Sequence, residues 1–200
     1  MKLYHCQNSR SMRALWALEE MGLDYELATL QFPPRVFHKD YKEVNPLGTV
    51  PAFIDDDVTL TESAGICHYL AEKYGPTPLA VKPDEKDYGL YINWLFRSDA
   101  TLTFPQTIYF RYTALEPEER RSPQVADDYR KWFLARWRSV EAGLEGREYL
   151  CAERFTMADI AVAFAAHFAK TLGIEEAFTP NVARWWERVT AREGYKKAAV

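Results

Sequence analysis

Everything in this chain that reads as a β-strand lies before residue 75, and the run Gly75-Pro76-Thr77-Pro78 closes that stretch. Proline has no N–H to give and fixes φ, so two of them within three residues halt a strand or a helix. Beyond the break, and a second one at Lys82-Pro83, no strand signal returns. Strand signals on one side and helix signals on the other require two differently built parts in one chain. The boundaries this implies are residues 1–76 for a mixed α/β domain, 77–86 for a linker and 87–200 for an all-α domain.

The first part has a definite order. Met1 to Cys6 is a short apolar strand. Met12, Leu15, Trp16, Leu18 and Met21 then recur at helical spacing, and Gly22 stands where a C-cap glycine is expected. Tyr25 to Leu30 reads as a second strand. Such short connections suit a parallel pair with a right-handed crossover. Phe32 to Pro46 is punctuated by prolines and reads as a loop with one irregular helical turn. Pro51–Ile54 and Val58–Leu60 flank the turn Asp55-Asp56-Asp57 and form a hairpin. Ser63 to Tyr74 is a helix carrying Ile66, Tyr69 and Leu70 on one face. The order βαβ-ββα is thioredoxin-like.

The second part is helical throughout. Asp84 to Phe104 is one helix, Pro105 interrupts it, and Gln106 to Tyr112 resumes it. Pro123 opens a long helix to about Leu144, with Tyr129, Trp132, Phe133, Trp137 and Val140 as its apolar stripe. Thr156 to Leu172 is apolar enough to be buried. Pro180 to Glu193 turns Val182, Trp185, Trp186 and Val189 inward.

Composition excludes several classes. Charged residues are 27% and the net charge is −4, with no basic block suited to nucleic acid. No run is long enough to span a membrane, and the N-terminus lacks the apolar core of a signal peptide. Cys6, Cys67 and Cys151 are odd in number and far apart, which fits a reducing, cytoplasmic compartment better than a disulfide framework. His5, His38, His68 and His167 are dispersed, with no metal-ligand spacing and hence no metal site expected.

Two local features demand explanation. The first is Val50-Pro51, ahead of a strand. Its bond is either an ordinary trans bond at a sheet edge, or a cis bond that turns the Val50 main chain out of the sheet toward an extended ligand. The second is Glu62-Ser63, ahead of a helix. Ser63 is either a plain N-cap or, with the free N–H groups of the helix start, a holder of a carboxylate. Glu62 beside it would attract an ammonium. Together the two would hold an α-amino-acid head group.

The pairing of "NPLGTVPAF" with "LTESAGICHYLAEKYG", in this domain order, resembles the cytosolic glutathione S-transferase family, of bacterial type, over essentially the whole chain. "ERFTMADIAV" is similar to the family's buried capping box, with Thr156 as cap and Asp159 three residues on. The resemblance implies that glutathione is the co-substrate. Val50, after Thr49 and before Pro51, would pair with its cysteinyl backbone, and Glu62 and Ser63 would hold its γ-glutamyl end. Many relatives have Lys or Gln where Thr49 stands; His38 or Lys39 would then supply the contact to the glycyl carboxylate.

The resemblance also implies activation of the glutathione thiol by a donor in the loop Gln7 to Arg13. Ser9 is the first candidate, with Arg13 as the anchor, and Ser11 the second; Asn8 and Tyr4 follow. A serine-type enzyme is therefore expected rather than a tyrosine or cysteine type. Arg10 stands where one bacterial class carries a cysteine, which argues against that class. The thiolate would add to a small, apolar electrophile in a pocket that includes Thr103, Phe104 and Ile108. Asp99 would lie at a homodimer interface near the glutathione amine. A dehalogenase, isomerase or peroxidase on the same scaffold, or a non-catalytic binding protein, are the alternatives. Cys6-Gln7-Asn8-Ser9 also reads as the C-x-x-S of single-thiol redox proteins.

Overall fold

The computed structural model describes residues 1–200. The chain divides into two compact units, Met1–Ala80 with Val189–Val200, and Val81–Arg188. The first carries all four strands: β1 (Lys2–His5), β2 (Glu26–Thr29), β3 (Ala52–Asp55) and β4 (Val58–Leu60). Their order in the sheet is β2-β1-β3-β4. β1 and β2 are parallel, joined through α1 (Ser11–Met21). β3 runs antiparallel to both β1 and β4, and α4 (Ser63–Lys73) follows. This is the thioredoxin-like arrangement expected from the strand and helix order.

Register decides what meets at each end of this sheet. Tyr4 pairs with Ala52, and Phe53 pairs with Leu60. Carried two residues further, those registers bring Cys6 level with Val50 and Pro51 level with Glu62. The end of β1, the start of β3, the end of β4 and the first residue of α4 therefore share one edge. At the opposite edge Asp55 pairs with Val58. There its carboxylate accepts from Lys73 Nζ at 2.8 Å, Tyr74 OH at 2.6 Å and Tyr69 OH at 3.0 Å. Burial pushes the Asp55 carboxyl up, but these three donors together hold it below the usual carboxylate range.

α1 buries Met12, Leu15, Trp16 and Leu18 and ends at Gly22, whose φ of 61° is the left-handed conformation glycine adopts without steric cost. Each large apolar side chain so buried stabilises the unit by roughly 1.5–3 kcal/mol. The tail is a correction to the expected grouping. Residues 189–200 belong with the first unit, not with the second domain. α10 (Glu193–Ala198) packs on α1, with Tyr195 edge-on to Trp16 at 5.1 Å. Arg192 donates to both oxygens of Glu20, at 2.9 and 2.7 Å. The single helix expected over 180–193 is accordingly two, and α9 stops at Thr190. The Phe32–Pro46 loop likewise holds two one-turn helices, α2 (Pro34–Phe37) and α3 (Tyr41–Val44), rather than one.

In the second unit Pro105 does not interrupt its helix. α5 (Tyr88–Arg97) runs through a π-wound segment, Ser98–Thr103, into α6 (Phe104–Phe110) and a second π-wound segment, Arg111–Leu115. Pro105 sits in the first turn of α6, just past the wide turn. That winding absorbs the missing N–H and the clash that a proline causes in a regular helix. α7 (Pro123–Gly143) starts at Ser122, whose hydroxyl accepts from Val125 N–H, and it buries Phe133, Trp137 and Val140.

α8 (Met157–Thr171) is the buried centre of this unit. Its capping box is complete: Thr156 Oγ1 accepts from Ala158 N–H at 3.2 Å, and Asp159 Oδ2 accepts from Thr156 N–H at 2.9 Å. The aspartate spans the box despite its short side chain. Its other oxygen accepts from Leu150 N–H at 3.1 Å and from Trp185 of α9 (Pro180–Thr190) at 2.9 Å. Burial pushes the Asp159 carboxyl up to about 6, against the pull of these donors.

Candidate active site

The loop between β1 and α1 is tight. Asn8 has φ 55°, a left-handed conformation that asparagine tolerates better than most residues. This bend points Ser9 back at the strand end. Ser9 Oγ donates to Cys6 O at 2.7 Å and lies 2.7 Å from Ser11 Oγ. Ser9 is half-buried, whereas Ser11 is 0% exposed. Ser11 Oγ accepts from Cys6 N–H at 3.1 Å and lies 2.8 Å from His5 Nδ1. A fully buried hydroxyl cannot touch a ligand sulfur. Ser11 is thus corrected from a candidate donor to a residue behind Ser9. It is also the first helical residue, not the cap, which is Arg10.

The other loop residues have other uses. Tyr4 packs against Tyr41, ring centroids 5.3 Å apart. The Cys6 side chain is buried, which pushes its thiol up to about 11, so it stays protonated and the C-x-x-S run has no reactive thiolate. Cys67 and Cys151 are pushed up to about 12 by the same cause.

On the facing strand, the Val50–Pro51 bond is cis. β3 begins only at Ala52, and neither the N–H nor the C=O of Val50 is bonded within the chain. The preceding loop is firmly held. Thr49 O accepts from Tyr41 OH at 2.8 Å and from Asn45 Nδ2 at 2.7 Å. Gly48 has φ 62°, and a Cβ there would meet Arg35 Cβ at 2.8 Å. The Thr49 side chain stays exposed. His38 Nε2 already accepts from Gln31 N–H at 3.0 Å, which leaves Nδ1 as its protonated nitrogen.

Glu62 is the cap of α4, exposed, with no side-chain bond to its own helix start. Ser63 beside it is buried, and its hydroxyl accepts from Arg13 Nη1 at 3.0 Å. The Ser63 proton remains free to be donated. Arg13 is itself 0% exposed and ties the start of α1 to the start of α4. Two helix N-termini, a buried guanidinium, a hydroxyl donor and an open main-chain edge converge here, an arrangement suited to a carboxylate on an extended peptide.

The remaining candidates lie in the second unit. Thr103 is fully buried and donates to Ser98 O at 2.7 Å, so it is corrected to a helix-internal role. Phe104 is 46% exposed, edge-on to Tyr129. Ile108 is half-buried, and Asp99 lies in the first π-wound segment.

Two residues to which the sequence reading gave no part in the site are His5 and Arg13, the latter serving there only as the anchor for Ser9. Arg13 carried a signal: a cation within the apolar run Met12, Leu15, Trp16 needs a buried partner. His5 carried one only in its strand alternation, which placed it inward with Leu3.

Comparisons with known proteins follow this geometry. The family model described as glutathione S-transferase, N-terminal domain, matches residues 1–72, and that for the C-terminal domain matches residues 107–193. Glutathione S-transferase F13 of Arabidopsis thaliana is 30% identical, over 100% of this chain and 94% of its own length. Among solved structures, a ternary complex of BphK, a bacterial GST, superposes with TM-score 0.88 at 27% identity, covering 100% of this chain and 98% of that one. Glutathione transferase URE2P6 from Phanerochaete chrysosporium, in complex with oxidized glutathione, superposes with TM-score 0.85 at 27% identity, covering 98% of this chain and 93% of that one.

Proposed function

The chain belongs to the glutathione S-transferase family, and on that premise we propose how its own residues hold and activate glutathione. It is a glutathione transferase with glutathione as co-substrate. The observation that carries the residue assignment is the Arg13–Ser63 bond, which fixes the two helix N-termini at the edge where Val50 is unpaired. Ser63 donates to the γ-glutamyl carboxylate, Glu62 takes the ammonium, and the Val50 N–H and C=O pair with the cysteinyl residue. Thr49 and Pro51 lie beside it, and His38 Nδ1–H is the donor we assign to the glycyl carboxylate.

Ser9 is the donor to the thiolate, in a serine-type enzyme. A free thiol has a pKa of about 8.5. A hydrogen bond to a charged acceptor contributes roughly 1.5–3 kcal/mol, but Ser9 must first give up its bond to Cys6 O, worth about 1 kcal/mol. The net gain lowers the thiol by about one pH unit, at 1.36 kcal/mol per unit. The thiolate then attacks a small, apolar electrophile.

We infer a homodimer on the family resemblance; Phe96, 74% exposed on α5, is an apolar side chain that a second copy would cover. A cytoplasmic setting is supported by three free, buried cysteines. No helix is long and apolar enough to cross a membrane. The test is an ultraviolet titration of the thiolate of bound glutathione in wild type and Ser9→Ala. A depressed thiol pKa that rises toward the free value in the variant supports the assignment. An unchanged pKa removes Ser9 as the donor.

A further inference from the structure

Behind Ser9 the polar chain does not stop. Ser9 Oγ, Ser11 Oγ and His5 Nδ1 follow one another at 2.7 and 2.8 Å, from the half-buried loop into the sheet. Ser11 Oγ also accepts from Cys6 N–H, so one of its two lone pairs is always taken. With one lone pair and one proton left, Ser11 can bridge Ser9 and His5 in two ways once neither hydroxyl spends its proton on Cys6 O, which lies 2.7 Å from Ser9 Oγ and 3.3 Å from Ser11 Oγ. It either donates to His5 and accepts from Ser9, or accepts from His5 and donates to Ser9. The first points every hydroxyl proton inward. The second points every one outward.

The imidazole decides between them. The first arrangement needs the proton on His5 Nε2, the second needs it on Nδ1. No bond within the chain occupies Nε2, and that atom is not among the sealed, unpartnered ones. We propose that His5 is a tautomeric proton relay for the glutathione thiol, acting through Ser11 and Ser9; this rests on the reading of Ser9 as the donor.

The step balances without charging the ring. The thiol gives its proton to Ser9 Oγ as the S–H bond breaks. Ser9 passes its own proton to Ser11, Ser11 passes its own to His5 Nδ1, and Nε2 releases one proton to water. The products are a thiolate, a solvent proton and a neutral His5 with Nδ1–H. The chain of donors then runs outward and holds the thiolate through Ser9.

A neutral ring is what the surroundings favour. Burial lowers the His5 pKa, with no charged group acting on it. Its ladder neighbour on β2 is Thr29, Cys6 beside it stays protonated, and Arg13, the cation of the first turn of α1, is engaged with Ser63.

The test is nitrogen NMR of isotope-labelled histidine, in wild type and Ser9→Ala, with and without saturating glutathione. It is read beside the thiol pKa of the bound tripeptide. The relay predicts a switch of the His5 proton from Nε2 to Nδ1 on binding, and loss of that switch in Ser9→Ala. His5→Phe should raise the bound thiol's pKa by about 0.5–1 pH unit, the loss of one bond in the chain, and add nothing once Ser9 is alanine. A fixed tautomer in wild type, with the pKa still rising in Ser9→Ala, overturns the relay and leaves Ser9 as donor. A thiol pKa unmoved by Ser9→Ala overturns both.

Discussion

The two ends of α4 treat their polar groups in opposite ways. At its C-terminal end, Lys73 and Tyr74 join Tyr69 on the Asp55 carboxylate. Every strong donor there has an acceptor in the same unit. At its N-terminal end, Glu62 is exposed, Ser63 keeps an unspent proton, and Val50 across the hairpin keeps an unpaired main chain. The same sheet and the same helix thus carry one saturated edge and one unsaturated edge. Unmet hydrogen-bonding capacity at a folded edge is costly unless water or a ligand meets it, which is why we propose the open edge as the one that binds. Substitutions at a saturated cluster should cost stability and leave binding alone; substitutions at the open edge should do the reverse.

The largest effect should come from the most saturated cluster. Asp159→Ala strips acceptors from Leu150 N–H, Thr156 N–H and Trp185 Nε1. At about 1–3 kcal/mol for each buried donor left unmet, the loss should reach about 3 kcal/mol or more in urea unfolding. Calorimetry on the surviving folded protein should return wild-type glutathione affinity. Next in size, Ser9→Ala should lower kcat/KM toward an aryl halide by about tenfold, from a net loss near 1.4 kcal/mol, and should cost no more than about 1 kcal/mol in unfolding, the worth of its bond to Cys6 O.

Asp55→Asn should destabilise by about 1 kcal/mol at pH 7, the net worth of one hydrogen bond. Lys73 is 39% exposed, so solvent replaces much of its share. Because the folded state holds this carboxyl low, its contribution is present above the unfolded pKa of about 3.9 and is lost as pH falls through the folded value. The gap between variant and wild type should therefore close in acid, and a constant gap would break the comparison. The smallest effect is a gain. Thr49→Lys, on an exposed position, should tighten glutathione binding by roughly 0.5–1 kcal/mol through the glycyl carboxylate.

Much of this was legible in the sequence, because period and punctuation are local. The spacing of Met12, Leu15 and Trp16 placed α1, and the aspartates between two short apolar runs placed the hairpin. The Glu62-Ser63 dipeptide marked a helix start correctly. What the sequence could not carry was depth. Ser9 and Ser11 lie two residues apart and read alike, yet one faces the loop and the other is sealed against His5. Thr103 read as a pocket residue but spends its hydroxyl on Ser98 O. Nor could local spacing reveal that Pro105 would be absorbed by π winding, or that α10 returns to α1. Both depend on contacts or hydrogen-bond registers that no short window contains.

The most direct test pairs the two ends of α4 in one experiment. Glutathione affinity and unfolding free energy are measured side by side for Glu62→Ala and Asp55→Asn. Losing one hydrogen-bonded charge at the open edge, about 1.5–3 kcal/mol, predicts a tenfold to hundredfold weaker Kd for Glu62→Ala with unchanged stability. Asp55→Asn should show the converse, a lower stability with wild-type Kd. If Glu62→Ala binds glutathione as well as wild type, the open edge is not the glutathione site and the account fails.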